Sequence, residues 1–186
     1  MEGRQIRTIG YGSRSIEEFV DAVLAVEATY VVDVRSAPHS KFKPEFSREP
    51  LAARLAESDV HYVFMGDALG GRPDDPGCYD SEGRVDYGRC RLRSVFIEGL
   101  ESLEAGWEAG HSIVLMCSEG RPEECHRVKL VAEELVAVGV PVAHIDEHGV
   151  TRSHAAVMDL VTDGQITLFG EHAAAATSRR KYRAAS

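Results

Sequence analysis

The chain has 186 residues, with 30 acidic against 21 basic side chains and a formal net charge of −9. That length suits one domain with its own core and no disulfide staples. The content of Val, Leu, Ile and Ala excludes general disorder, no apolar run approaches the roughly 20 residues of a membrane span, and the acidic balance excludes a broad nucleic-acid-binding face.

The first residues, Met1 to Arg7, lack the apolar stretch of an export signal. Gln5 to Gly10 predicts a first strand, closed by a Gly-Tyr-Gly turn. Ser15 and Glu18 have the spacing of a capping box, and Ile16, Phe19, Val20, Val23 and Leu24 then recur at helical period. Tyr30 to Val34 is nearly all apolar, as buried parallel strands are. Residues 36–48, with Pro38 and Pro44, form a loop before a helix over about 49–57, and His61 to Met65 is a third strand. A Gly-, Pro-, Asp- and Arg-rich stretch from Gly66 to about Arg91 is longer than ordinary connections and suggests a lid or a disordered excursion. Leu92 to Glu108 is a long helix, His111 to Met116 a fourth strand, Pro122 to Val138 a helix stopped by Gly139, and Val140 to Ile145 a fifth strand. Thr151 to Gly170 adds a short helix and an edge strand.

Strands alternating with helices imply βαβ crossovers: a single α/β domain over residues 1–170, with a mainly parallel sheet of about five strands and helices on both faces. Arg179, Arg180, Lys181 and Arg183 crowd the last eight residues. Without them the body is more acidic still, at 17 basic and 30 acidic residues. Residues 171–186 are read as a flexible basic tail that aids solubility, in preference to an arm that touches a polyanion.

In open parallel sheets ligands bind at the carboxyl ends of the strands, so the residues just beyond each strand are the ones to question. Cys117 leaves the fourth strand and enters a loop that holds Glu119, Gly120, Arg121, Cys125, His126 and Arg127. Arginines and helix-start amides lower a thiol pKa, and the thiolate is the reactive form. Cys117 is therefore a candidate nucleophile. Cys125 would resolve a mixed disulfide or join Cys117 and His126 on a metal, and His126 would act as general acid or base. The opposing reading is that Cys117 is a small buried hydrophobe, with Glu119, Glu123 and Glu124 offsetting the arginines. Asp33, inside an apolar strand, needs a partner. Arg35, two residues on, is on the same face; the pair either fixes the loop or turns Arg35 toward an anion. Arg72, in a Leu-Gly-Gly-Arg turn, either closes the loop or is a second anion clamp.

Other signals are weaker. Gly10-Tyr11-Gly12 lacks the third glycine of a dinucleotide fingerprint, since Ser15 stands in its place. His144, Asp146 and His148 have poor metal-ligand spacing, and hydrogen-bonded or solvated histidines account for them better. Cys78 and Cys90 are read as bystanders. Four cysteines without an export signal fit a reducing cytoplasm.

The stretches Thr8 to Tyr11, Arg14 to Phe19, Val32 to Ser40, Leu69 to Arg72, Leu115 to Glu119, Cys125 to Arg127 and His144-Ile145 resemble the domain-of-unknown-function 488 family over roughly residues 6–146. The resemblance implies an α/β fold and brings no established reaction. Members more often carry Thr-Ile-Gly-His where this chain has Tyr11, so if that His has a catalytic role, another proton carrier is needed. A weaker likeness, Val32 to Arg35 followed by Cys117 to Arg121, is to rhodanese-type sulfurtransferases, in which the Cys carries a persulfide; Cys125-His126-Arg127 has no counterpart there.

Together these readings predict a cysteine-dependent enzyme acting on a small anionic, nucleotide-like or phosphorylated substrate at the sheet rim. Cys117, Cys125 and His126 would be catalytic. Tyr11, Arg35, Gly70, Gly71, Arg72, Glu119, Arg121 and Arg127 would bind substrate. One alternative is a non-catalytic module for nucleotide or, less favoured, nucleic acid. Another is a metal- or haem-binding protein using Cys117, Cys125 and His126.

Overall fold

A computed structural model describes residues 4–163 and 176–182. Five parallel strands, β1 (Ile6–Gly10), β2 (Tyr30–Asp33), β3 (His61–Phe64), β5 (Ile113–Cys117) and β6 (Val142–Ile145), form the sheet in the order β3-β2-β5-β1-β6. The short β7 (Thr151–Ser153) adds an antiparallel edge beside β6. The chain is thus an α/β protein with a mainly parallel sheet, as its alternating pattern predicts.

The central strand β5 is buried along its whole length, which is why its sequence is a continuous apolar run. Its alternate residues serve two cores. Ile113, Leu115 and Cys117 pack on one side with Phe96 and Leu103 of α5 (Ser94–Glu108). Val114 and Met116 pack on the other with Phe19 and Val20 of α1 (Ile16–Leu24) and Leu51 and Leu55 of α2 (Arg48–Ala56). The capping box of α1 forms as the sequence predicts: Ser15 accepts from the Glu18 amide, and Glu18 accepts from the Ser15 amide.

Helix α1 follows β1 onto one face, whereas the chain after β5 turns to the other. The neighbouring strands β1 and β5 therefore lead into crossovers on opposite faces, a switch point of the kind beside which ligands bind in such sheets, while their loops stay joined through the Tyr11 and Gly12 amides, which donate to the Cys117 and Ser118 carbonyls.

Three segments differ from expectation. Residues 66–91 are not a loose excursion; they contain α3 (Gly66–Leu69), a 3₁₀ turn, β4 (Arg84–Asp86) and α4 (Tyr87–Arg91), anchored by buried Cys78, Val85, Tyr87 and Cys90. The helix expected over 122–138 is broken. A 3₁₀ turn at Pro122–Glu124 stops at Cys125, whose backbone is extended, and a π-turn at Arg127–Ala132 leads into α6 (Glu133–Ala137). The helix α7 (His154–Val161) follows β7.

The third difference corrects part of the tail reading. Thr177–Lys181 forms a strand, β8, paired antiparallel with β4. Ser178 Oγ accepts from the Val85 amide at 2.9 Å, and Arg179 reaches Glu124 at 2.5 Å. Local composition gave no sign of this, because the partners lie far away in the chain. Residues 171–175 and 183–186 of that tail lie outside the described residues. No helix among the described residues is long and apolar enough to cross a membrane.

Candidate active site

A cavity of about 330 Å³ lies at the carboxyl ends of the strands, bordered by Tyr11 after β1, Arg35 after β2 and Cys117 at the end of β5, at the small end of the range for ligand sites. Gly10 makes the close approach of the β1 and β5 loops possible: a Cβ there would run into the Glu119 carbonyl. Cys117 and Cys125 line the cavity, each almost fully buried, together with His126.

The extended backbone at Cys125 folds the loop back, so that Cys125 and His126 come beside Cys117 instead of travelling up a helix. His126 Nδ1 lies 3.9 Å from Cys117 Sγ and 3.7 Å from Cys125 Sγ. On the other side of the ring, Nε2 is 2.9 Å from the Val34 carbonyl oxygen. A carbonyl only accepts, so Nε2 carries a hydrogen and Nδ1 faces both sulfurs. Gly71 holds the ring there, since a Cβ on Gly71 would lie 2.6 Å from the imidazole.

The two thiols are driven apart electrostatically. A hydrogen bond from Cys125, with the charges of His126 and Arg127, holds the Cys117 thiol well below its ordinary range despite burial. Burial and the neighbouring Cys117 push Cys125 up. Of the two, Cys117 is the one whose anionic form its surroundings favour, and Cys125 is the hydrogen-bond donor.

Arg35 lines the same cavity. Asp33, fully buried, accepts from Arg35 Nε and Nη2 and from the Tyr62 hydroxyl; Nη2 also donates to the Phe46 carbonyl. Burial opposes the Arg35 charge, but Asp33 more than offsets it and raises the guanidinium pKa. Nη1 is left with no hydrogen-bond partner, although Arg35 is only 5% exposed. The Asp33–Arg35 pair therefore fixes the loop and also orients the arginine.

Other expected residues divide. Tyr11 lines the cavity with its ring stacked on Phe46 and its hydroxyl donating to Ser40. His126 supplies the imidazole at this site. Glu119, Gly71 and Arg72 also line the cavity. Gly70 does not; it packs beneath Ser36. Arg121 points outward to Glu123 and Glu124. Arg127 is fully buried and serves as a strut, donating to Thr8 Oγ1 and to the Glu119 and Gly120 carbonyls. The expected roles of Gly70, Arg121 and Arg127 in direct binding are thus not matched by contact with the cavity.

Their place is taken by residues that were not singled out for the site: Ser36, His39, Tyr87 and, from β8 and its end, Arg179, Arg180 and Tyr182. Arg72 stacks over the Tyr182 ring at 4.4 Å, and Arg179 pairs with Glu124. The basic run near the chain end, conspicuous in an acidic protein, was the available signal. His144 turns inward instead of joining Asp146 and His148. It bonds Thr8 Oγ1 at 2.8 Å and His154 at 2.9 Å, and His154 bonds Glu133 at 2.8 Å. Burial lowers the His144 pKa to about 3, so the ring is neutral. Among the described residues, the one group with metal-ligand proximity is Cys117, Cys125 and His126, whose ligand atoms all lie within 4.8 Å of one another.

Fold and site define an α/β protein with two thiols and an imidazole gathered at the switch point of a parallel sheet. Residues 15–134 match the family described as domain of unknown function DUF488, and the chain belongs to that family. Searches of curated proteins and of solved structures return no match, so the rhodanese likeness rests on the sequence pattern alone.

Proposed function

We propose that this protein is a thiolate enzyme that acts on a small anionic substrate, such as a phosphorylated metabolite or a single nucleotide. The observation that carries the proposal is His126 Nδ1 facing Cys117 inside a cavity that Arg35 also lines. Cys117 is the nucleophile, His126 takes and returns its proton, and Cys125 donates a hydrogen bond to the thiolate. The unpartnered Nη1 of Arg35, with Arg72 and Arg180, would hold the anion; Glu119 and Glu124 limit the net positive charge, which favours a compact ligand over a polyanion. Four free cysteines fit a reducing compartment such as the cytoplasm.

The test is alkylation of Cys117 by iodoacetamide across pH, with and without inorganic phosphate or AMP. We expect rapid alkylation at neutral pH and protection by the anion, with protection lost in Arg35→Lys. A Cys117 that alkylates no faster than an ordinary thiol sinks the proposal. Phosphate protection with an unreactive Cys117 would favour a non-catalytic binding module.

A second reading has its own support. The Cys117, Cys125 and His126 ligand atoms would suit zinc, with Nε2–H on the Val34 carbonyl as the outer support common for metal-bound histidine. Bound there, the metal would supply Lewis acidity. Elemental analysis of the purified protein, with one equivalent of zinc that shields both thiols from alkylation, would favour this reading.

A further inference from the structure

The proposed thiolate chemistry leaves one feature unused. A single nucleophile needs one base, yet Nδ1 of His126 is nearly equidistant from two sulfurs, at 3.9 and 3.7 Å. Both sulfurs border the same cavity, and they lie within 4.8 Å of each other. Because Val34 and Gly71 fix the ring from two sides, one nitrogen is held where it can exchange a proton with either thiol. That arrangement suits a dithiol cycle, in which the two thiols react in turn.

We infer that Cys117 and Cys125 form a redox pair that reduces a small anionic disulfide, passing between the dithiol and an intramolecular Cys117–Cys125 disulfide. The inference rests on the reading of Cys117 as the reacting group and names its substrate class. In the first step the Cys117 thiolate attacks one sulfur of the substrate. The Cys117–substrate S–S bond forms, the substrate S–S bond breaks, and the departing thiolate takes the proton that His126 Nδ1 holds. In the second step Cys125 gives its proton to the vacated Nδ1 and attacks Cys117 Sγ. The mixed disulfide breaks, and the second thiolate leaves with that proton. Two electrons pass from the cysteine pair to the substrate, which departs as two thiols; an external dithiol restores the reduced pair by the reverse exchange. Arg35, whose Nη1 is its one orphaned polar atom, lines this cavity together with Arg72 and Arg180, and these cations select for negative charge.

The experiment uses the full-length, reduced protein and dithiodiglycolate, the disulfide of mercaptoacetate, with the neutral hydroxyethyl disulfide as comparator. Peptide mapping under non-reducing conditions should find Cys117 joined to Cys125, with the four free thiols reduced to two and two equivalents of mercaptoacetate released. Cys125→Ser should stop at a mixed disulfide on Cys117, releasing one equivalent. The anionic probe should react about tenfold faster than the neutral one, an advantage that Arg72→Ala and Arg180→Ala together should erase. A stable mixed disulfide on Cys117 in the unaltered protein, with no link to Cys125, overturns the inference and leaves the thiolate reading standing. A Cys117 untouched by both probes and by iodoacetamide overturns both.

Discussion

The protein contains two pairs of neighbouring cysteines in opposite environments. Cys78 and Cys90 interact where α4 meets the apolar core, with Arg93, Asp75 and Asp86 as the charges acting on Cys78, and neither borders the cavity. Cys117 and Cys125 are just as buried by area, yet they meet an imidazole, a nearby arginine and a cavity. Burial raises the Cys78 thiol and pushes Cys90 up to about 12, whereas Cys117 is held well below its usual range. Low accessibility does not by itself make a thiol inert. What decides is which charges and donors replace the lost water.

The largest expected effect is in reactivity. At pH 7 a thiol with a pKa of about 12 is ionised to only about one part in 10⁵, about 10³-fold less than an ordinary thiol, so Cys117, shifted the other way, should alkylate more than about 10³-fold faster than Cys90. The sign of the pH dependence follows from the lowered pKa. Raising the pH should therefore speed Cys117 less than an ordinary thiol, which gains about tenfold for each unit below its pKa. Mass-spectrometric alkylation kinetics would erase the contrast if the two thiols kept pace.

Moving the imidazole should reduce the difference without touching either sulfur. Gly71→Ala drives a Cβ into the His126 ring, and His126→Asn removes the base. Each should slow Cys117 alkylation at pH 7 by about 10- to 100-fold and leave Cys78 and Cys90 unchanged. A Gly71→Ala variant with the rate of the parent would mean that the ring does not govern the thiolate.

Acid should weaken the framework behind the reactive pair. Arg127, which braces the Cys117 loop, leans on Thr8, and Thr8 bonds His144. The folded pKa of His144 is about 3, against an ordinary 6.5, so below pH 6.5 the unfolded chain binds a proton that the folded chain refuses. This contribution is intact above pH 6.5 and is lost as pH falls toward 3, at about 2 kcal/mol by pH 5. Denaturant unfolding of the parent and His144→Gln at pH 7 and 5 tests it; a stability gap unchanged by pH would refute it.

The inert pair should matter for packing alone. Cys90→Ala should cost about 1–2 kcal/mol of stability and leave the Cys117 alkylation rate as it was. A loss of Cys117 reactivity in that variant would link the two pairs and end the contrast between them.

How much of this was legible in the sequence depends on the range of the forces involved. The strands, α1 and its capping box could be read because period and cap chemistry are local. Cys117 could be read as a candidate because it follows an apolar strand, and Arg35 because Asp33 stands two residues before it. The break at Cys125 could not, since its extended backbone answers to contacts across the sheet. Nor could the strand that carries Arg179 and Arg180 to the cavity, although their basic run stands out. Their strand is ordered by β4, and Ser178 and Val85 lie 93 residues apart.

The order of apolar runs and helical periods in the sequence was enough to determine an α/β architecture and to point to the rim where the candidate site lies. Only the tertiary structure decided which residues on that rim meet. It sent Arg121 outward, buried Arg127 as a strut, brought β8 to the cavity wall and turned one nitrogen of His126 toward two sulfurs. Local patterns encode which residues become strands and helices, because those energies act between near neighbours. The identity of a site depends on packing and electrostatics between segments far apart in the chain.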